Sequence, residues 1–353
     1  MTALAPNQRL IIGVAIASSI MAGFLTFAHF NPVLVFSVAG LALATLAATV
    51  GEATDQLGER LSPGATGVLQ SAIGNLPELF VAIFALRAGL VEVVQAALIG
   101  SILANSLLVL GLAFVVGGMR HGVQRFDTQA PRMIATLTVL AVAALIVPTL
   151  VSMLHTPAAG HEEALSIACA VVLLIVFAAS VPLSIQGGPN TVKASTQHVH
   201  GWPLGLALGI LAIAGALAAF VSDWFVQALE PAIKTLGISE TFAGLVIVAI
   251  AGNAVENVVG IQLAARNKPD YAVSVILNSS LQVALALTPI LVLLSFVVGG
   301  AHLTLVLPPL LVVALFLSSI LGALIVFDGE SSWLEGFALI GLYVMVAISF
   351  WWG

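Results

Sequence analysis

The chain is 353 residues long with 10 basic and 16 acidic side chains, so 7% of it is charged while 60% is hydrophobic. A soluble domain carries about 25% charged residues, and a mean hydropathy of +1.16 leaves too little polar surface to cover a water-soluble protein of this size. The composition excludes a soluble enzyme, a nucleic-acid binder (there is no basic face) and a disordered chain; it describes an all-α polytopic membrane protein.

A hydrocarbon core of about 30 Å takes roughly 20 apolar helical residues per crossing. In chain order, polar punctuation predicts eleven helices, at 10–28, 33–53, 65–87, 91–117, 132–153, 164–185, 203–222, 240–265, 271–298, 303–326 and 333–352. None shows the short alternation of barrel strands. The apolar run after Arg9 is longer than a signal-peptide core of about 7–15 residues, so it is read as a retained span. Cys169 stands alone, which leaves no intramolecular disulfide. With the N-terminus inside, Arg9, Arg60, Arg120, Arg125, Arg132, Lys193, Arg266 and Lys268 fall on the cytoplasmic side, against Arg87 and Lys234 outside. The expected location is the inner (cell) membrane of a prokaryote, with the C-terminus on the far side. Trp202, Trp224, Trp333, Trp351 and Trp352 all fall at predicted span ends, where headgroups favour indole rings.

The third and eighth segments carry related motifs. Gly74-Asn75-Leu76-Pro77-Glu78 and Gly252-Asn253-Ala254-Val255-Glu256 are offset by 178 residues, and the same offset carries Ser101 onto Ser279 and Leu103 onto Leu281. The predicted organisation is therefore a leading helix (1–31), a first five-helix repeat (32–186), a cytoplasmic linker (187–201) and a second five-helix repeat (202–353). Five is odd, so equivalent helices cross in opposite directions. Such inverted repeats are common in secondary transporters, with the site near the midplane where the halves meet.

Glu78 and Glu256 lie near the middle of apolar spans. A mid-membrane carboxylate costs about 2.5–3.5 kcal/mol even on a mild insertion scale, and such groups normally face a bundle interior or a water-filled cavity. The plain alternative is a protonated glutamate bonded to a neighbouring helix. Asn75 and Asn253 each precede the glutamate by three residues and share its helix face. Gly74, Gly252 and Pro77 loosen the helix there and free backbone carbonyls, although simple kinking would also explain them. Ser101 and Asn105 on segment four, and Asn278, Ser279, Ser280 and Gln282 on segment nine, add further oxygens. Singly, each could be interhelical glue.

The donor set consists of carboxylates, amides, hydroxyls and carbonyls, which suits a hard cation such as Ca²⁺ with its 6–8 oxygen ligands. Burial also raises the proton affinity of a carboxylate. Protons and a divalent cation are thus expected to compete for Glu78 and Glu256. No resident cofactor is expected: the ions are cargo. Glu52, Asp55, Glu59, Glu240, Asp328, Glu330 and Glu335 read as helix-end or loop charges, and His198 and His200 as linker residues.

At these residues the chain resembles the Ca²⁺/cation–proton antiporters (CAX type) of the calcium:cation antiporter superfamily. The resemblance rests on GNLPELFVAIFALRAGLVEVVQAALIGSILANSLLVLGLAFVVGG (74–118), GLVIVAIAGNAVENVVG (244–260), SSLQVAL (279–285) and DGESSWLEG (328–336). It implies that Glu78 and Glu256 carry the cation and the protons. Asn75, Ser101, Asn253, Ser279 and Gln282 would line the site with carbonyls from the Gly74 and Gly252 turns, and the assembly would be a homotrimer; Asn105, Asn257, Asn278 and Ser280 are expected to join the lining from their places in the same spans. Many members have His after the second glutamate, where this chain has Asn257, and an acidic helix between the halves, where 186–201 has no carboxylate. The expected partners are inorganic cations, protons and membrane lipid, with no nucleic acid. Two other readings keep the fold: coupling to Na⁺ or K⁺, and exchange of a monovalent ion for protons. A passive cation channel is a further class. An intramembrane enzyme lacks support, because no mid-membrane Ser/His pair or nucleophile elbow is present.

Overall fold

Long apolar runs without water can satisfy their backbone only as helices, and the computed structural model is helical almost throughout. It describes residues 4–58, 73–186 and 202–352, with the side chains of Gly58, 181–186, Val255 and Glu256 outside that description. Residues 65–72 of the third segment and the linker 187–201, with Lys193, His198 and His200, also lie outside the described residues, as do Glu59 and Arg60. In order, the helices are α1 (Pro6–Phe27), α2 (Pro32–Gly58), α3 (Leu76–Arg87) and α4 (Val91–His121). Then come α5 (Gln129–Met153), α6 (Glu162–Gln186), α7 (Leu204–Leu236) and α8 (Glu240–Gly252). The last four are α9 (Ala254–Ala265), α10 (Pro269–Val298), α11 (Pro309–Ile325) and α12 (Trp333–Ser349). Two short strands, β1 (Gln124–Arg125) and β2 (Glu330–Ser331), pair antiparallel with Gln124 opposite Ser331.

Among the described residues, seven helices are long and apolar enough to cross a membrane, and α8 with the following helix makes an eighth whose halves bend by 62°. The sequence expectation was eleven crossings. Helices α11 and α12 have 17 residues each, and α3 has 12. Two limits differ from expectation. Helix α7 runs to Leu236 rather than stopping near 222, a length of about 50 Å at about 1.5 Å per residue. The charges read as its end are instead spaced along it, with Gln227 bonded to Asp223 at 2.7 Å and Lys234 to Glu230 at 2.6 Å. Helix α11 starts at Pro309 instead of 303, because Pro308 and Pro309 lack amide protons and disfavour helix before them.

The chain forms two compact units, each drawn from both halves of the sequence. The first comprises Met1–Ala85, Ala178–Gly237 and Ala251–Val255. Its core is the seam between α2 and α7, along which Ala39, Leu43, Leu46, Val50 and Ala53 face Ala214, Ala218, Val221, Phe225 and Leu229. The recurrence every three or four residues is a helical stripe. Phe36 stacks on Phe225 with ring centres 4.7 Å apart. Trp202 does not sit at the lipid interface as expected. It is 2% exposed, its backbone amide donates to Gln56 at 2.9 Å and its indole to Gln8 at 3.1 Å. Gln8 in turn donates to Glu52 at 2.6 Å. Trp224 is likewise inside α7, packed on Gly23 and Phe27 of α1.

The second unit comprises Leu86–Phe177, Ile238–Ile250 and Glu256–Gly353. Its connections gather at two ends. At one, Ala301 bonds to Leu86, His302 to Glu163, and Ser239 to Phe350 and Trp351. At the other, Gln124 bonds to Ala264 and Asn267, Asp127 to Asp270, and Arg125 to Glu330. Between α10 and α11 the chain runs extended, and side chains take over from a helix ladder. The amides of Leu303, Leu305 and Leu307 donate to Ser295, Ser166 and Thr149, each at 2.9 Å. The carbonyls of Thr304 and Val306 accept from Gln95 at 2.8 and 3.0 Å, and that of Leu305 from Thr149 at 2.8 Å. Four helices of the second unit thus satisfy one irregular strand, as a low-dielectric setting demands.

Helices α4 and α8 touch backbone to backbone. A Cβ on Gly100 would lie 2.6 Å from Leu245 Cα, and one on Gly244 would lie 2.9 Å from Ala96 Cβ. Gly100→Ala is expected to cost at least about 1–3 kcal/mol by overpacking. Gly209→Ala in α7, where nothing lies within 4 Å, is expected to stabilise by about 0.5–1 kcal/mol. Thermal midpoints of the detergent-solubilised variants, falling for the first and rising for the second, check this pair.

Candidate functional site: a carboxylate at two helix breaks

Gly74 and Asn75 form a turn, and α3 begins immediately after them with Glu78 in its first turn. The carbonyl of Asn75 accepts the Leu79 amide at 2.9 Å, which starts the helix. The second motif is built the same way. Helix α8 ends at Gly252, Asn253 is a turn residue, and α9 starts at Ala254. A carboxylate in the first turn of a helix is favoured by the partial positive charge of the unpaired amides there.

Within the first unit the two motifs meet. Asn253 Nδ2 donates to Glu78 Oε1 at 2.6 Å. Gly252 is flush against the same carboxylate: a Cβ there would lie 2.5 Å from Glu78 Cγ and 2.6 Å from Oε1. Glycine at 252 is therefore what lets the glutamate lie against the second break. Asn75 and Asn253 are both buried, and Glu78 is partly so. The arrangement holds a carboxylate at a broken helix with an amide on it, a set of hard oxygens suited to a cation or a proton.

The second unit carries a polar ladder where α4 crosses α10. Asn105 Nδ2 donates to Ser279 Oγ at 3.0 Å, and the Ser106 and Ser280 hydroxyls share a bond of 3.2 Å. Ser101, Asn105, Ser279 and Ser280 are buried, while Asn278 and Gln282 are partly exposed on α10. Both helices widen into π turns here, at Ala104–Val109 and Val283–Leu287, and α8 has a third at Ala243–Val248. Such one-turn bulges occur frequently at functional sites. Asn257 is partly buried on α9, and its Oδ1 has no hydrogen-bond partner among the described residues. Glu256 is in the first turn of α9; its side chain lies outside the described residues.

Sequence reasoning passed over Ser106 and Gln95. Ser106 adjoins Asn105, and Gln95 is a polar residue within an apolar span; both signals were present in the one-dimensional pattern.

The family model for sodium/calcium exchanger proteins matches residues 31–186 and 206–352. The chain belongs to this family. A Ca²⁺/H⁺ antiporter of Aphanothece halophytica is 34% identical over 345 residues, covering 91% of each chain. The Ca²⁺/H⁺ antiporter ChaA of Bacillus subtilis (strain 168) is 34% identical over 328 residues, covering 91% of this chain and 93% of its own. The solved structure of native YfkE superposes with a TM-score of 0.83 at 30% identity, covering 97% of this chain and 99% of that one. The exchanger match spans both motifs and all three of these π turns.

Gly252→Ala should push the Glu78 carboxylate off Asn253. The expected outcome is loss of ion exchange in reconstituted vesicles, with membrane yield and elution profile like wild type. Undiminished exchange by Gly252→Ala would show that the close contact has no functional part.

Proposed function

We propose that this protein is a secondary active antiporter, not an enzyme, which exports a divalent cation, Ca²⁺ in the first instance, in exchange for H⁺. The carrying observation is Glu78, set at the start of a broken helix and bonded to Asn253 of the second break. The 178-residue offset makes Glu256 the sequence equivalent of Glu78, and Asn75 that of Asn253. Two carboxylates neutralise one divalent ion or accept two protons, so the ligands compete for the same oxygens. Amides and hydroxyls of Asn253, Asn105, Ser101, Ser279, Ser280 and Gln282 and the carbonyls freed at Gly74 and Gly252 would complete a shell of 6–8 oxygens of the kind Ca²⁺ takes. The names borne by the relatives support this choice of ions.

In this reading the site opens alternately to the two membrane faces, and the two inverted repeats (32–186 and 202–353) supply one glutamate each, in eleven crossings including the leading helix. The N-terminus is cytoplasmic in a prokaryotic cell membrane. In the second unit, Arg120, Arg125, Arg132, Arg266 and Lys268 cluster at or near one end and Arg87 at the other, which supports that orientation. No resident cofactor is called for; the partners are the transported ions, lipid and two further copies of the chain in a homotrimer. A second reading couples the cation to Na⁺ or K⁺, and Asn257 favours it, because an amide beside Glu256 cannot carry a proton.

The test is Ca²⁺-driven collapse of an imposed pH gradient in proteoliposomes free of Na⁺ and K⁺. Wild type should dissipate the gradient, and Glu78→Gln and Glu256→Gln should reduce the rate at least about a hundredfold while remaining folded. Each variant removes one of the two negative charges that neutralise the divalent ion, and an amide does not replace it. Collapse only when Na⁺ or K⁺ is added would favour the second reading, and wild-type rates in either variant would remove the glutamates from the mechanism.

A further inference from the structure

Tyr343 is a buried polar side chain for which the exchange reading has no use. It is 4% exposed, and its hydroxyl is buried without a hydrogen-bond partner among the described residues. Most hydroxyls in these helices are discharged locally: Thr45 donates to Leu41, Thr136 to Arg132 and Ser318 to Leu315. A phenol is too long to turn back on its own helix, so its partner has to come from another element. Buried polar groups left without one are rare and call for an explanation.

The packing register shows which element faces it. Helices α12 and α4 run antiparallel in backbone contact. A Cβ on Gly118 would lie 2.7 Å from the Trp333 amide nitrogen, and one on Gly111 would lie 2.7 Å from the Gly336 carbonyl and 2.9 Å from Ile340. Gly336, Ile340, Tyr343 and Ala347 recur every three or four residues and form one stripe of α12. Following that stripe past Ile340 brings Tyr343 alongside the turn of α4 that precedes Gly111. This is the π turn Ala104–Val109, on which α12 packs and which carries Asn105 and Ser106. A π turn holds one residue more than the α register. Moving or resolving it rotates one side of the helix by about 100° against the other and presents different carbonyls to α12.

We propose that Tyr343 is a positioning residue for exchange: its hydroxyl, unpaired in this conformation, takes a main-chain carbonyl of the α4 π turn as its partner in the opposite-facing one. The phenol thereby sets the balance between the two conformations. The inference rests on the alternating-access reading above and goes beyond it by naming an element outside both glutamate motifs that biases the equilibrium.

Tyr343→Phe removes only the hydroxyl. It leaves the conformation described here no worse packed, and it deprives the other of a hydrogen bond. A ligand that binds only the rarer conformation has its apparent affinity reduced by the fraction in that state. The half-saturating Ca²⁺ concentration for exchange, measured in right-side-out and inside-out vesicles, should therefore rise roughly tenfold from one face and stay unchanged from the other. The thermal midpoint of the ion-free protein in detergent should hold or rise. An equal shift from both faces, no shift at all, or a lowered midpoint overturns the proposal, since each would mean that the hydroxyl is structural or already paired. Glu78→Gln run alongside separates the two levels. If it abolishes exchange while Tyr343→Phe behaves as wild type, this inference alone fails; if Glu78→Gln also exchanges normally, the glutamate reading fails with it.

Discussion

A carboxylate at membrane depth cannot rely on water, and the first unit is organised around that constraint. Glu78 is accommodated by three features acting together: a helix that begins just before it, an amide from Asn253 at 2.6 Å, and a glycine at 252 that leaves room for its Cγ. Removing any one changes the energy of the other two. Without the break, the carboxylate would lose the favourable end of a helix dipole; without Gly252, it could not reach Asn253. The α2–α7 seam supplies the rigid support, because alanines and one Phe36–Phe225 stack bring those long helices close with little side-chain freedom to lose.

The same accounting explains the irregular backbone of the second unit. Breaking a helix or running a strand in a low-dielectric setting leaves amides and carbonyls without partners, at several kcal/mol each in hydrocarbon. The extended stretch before Pro308 resolves this with Ser295, Ser166, Thr149 and Gln95, which arrive from four different helices. Those side chains are therefore structural, although in a one-dimensional reading they look no different from site residues. Asn105 and Ser106 differ in kind: they are bonded to Ser279 and Ser280 at π turns, where the backbone itself departs from a regular ladder.

Much of this was legible in the sequence because membrane burial makes polar residues conspicuous. The two Gly-Asn-x-x-Glu motifs stand out against apolar spans, and the structure joins them through Glu78 and Asn253. Other features were not legible, for identifiable reasons. Asp223, Glu230 and Lys234 look like a helix end, yet their i, i+4 pairing lets α7 continue past them. Trp202 looks like an interfacial anchor, but Gln8 and Gln56, distant in sequence, supply the partners that bury it. Nor could a linear pattern show that each compact unit draws on both halves, since that depends on which helices pack and not on where the motifs fall.

The halves are related but not equivalent, and the difference lies in how their helices pack. The π turns Ala104–Val109 and Val283–Leu287 begin 179 residues apart, close to the motif offset of 178. Between them the side chains diverge. Gly100, whose missing Cβ lets α4 press onto the Leu245 backbone, corresponds by that offset to Asn278, and Asn105 corresponds to Val283. An asparagine cannot reproduce a contact in which even a methyl group would lie 2.6 Å from a neighbouring Cα. Position 278 of α10 therefore cannot make the backbone contact that Gly100 makes on α4. The close approach at Gly100 is thus not repeated at the equivalent position, so the two motifs share the chemistry of their glutamates while the packing beside them differs.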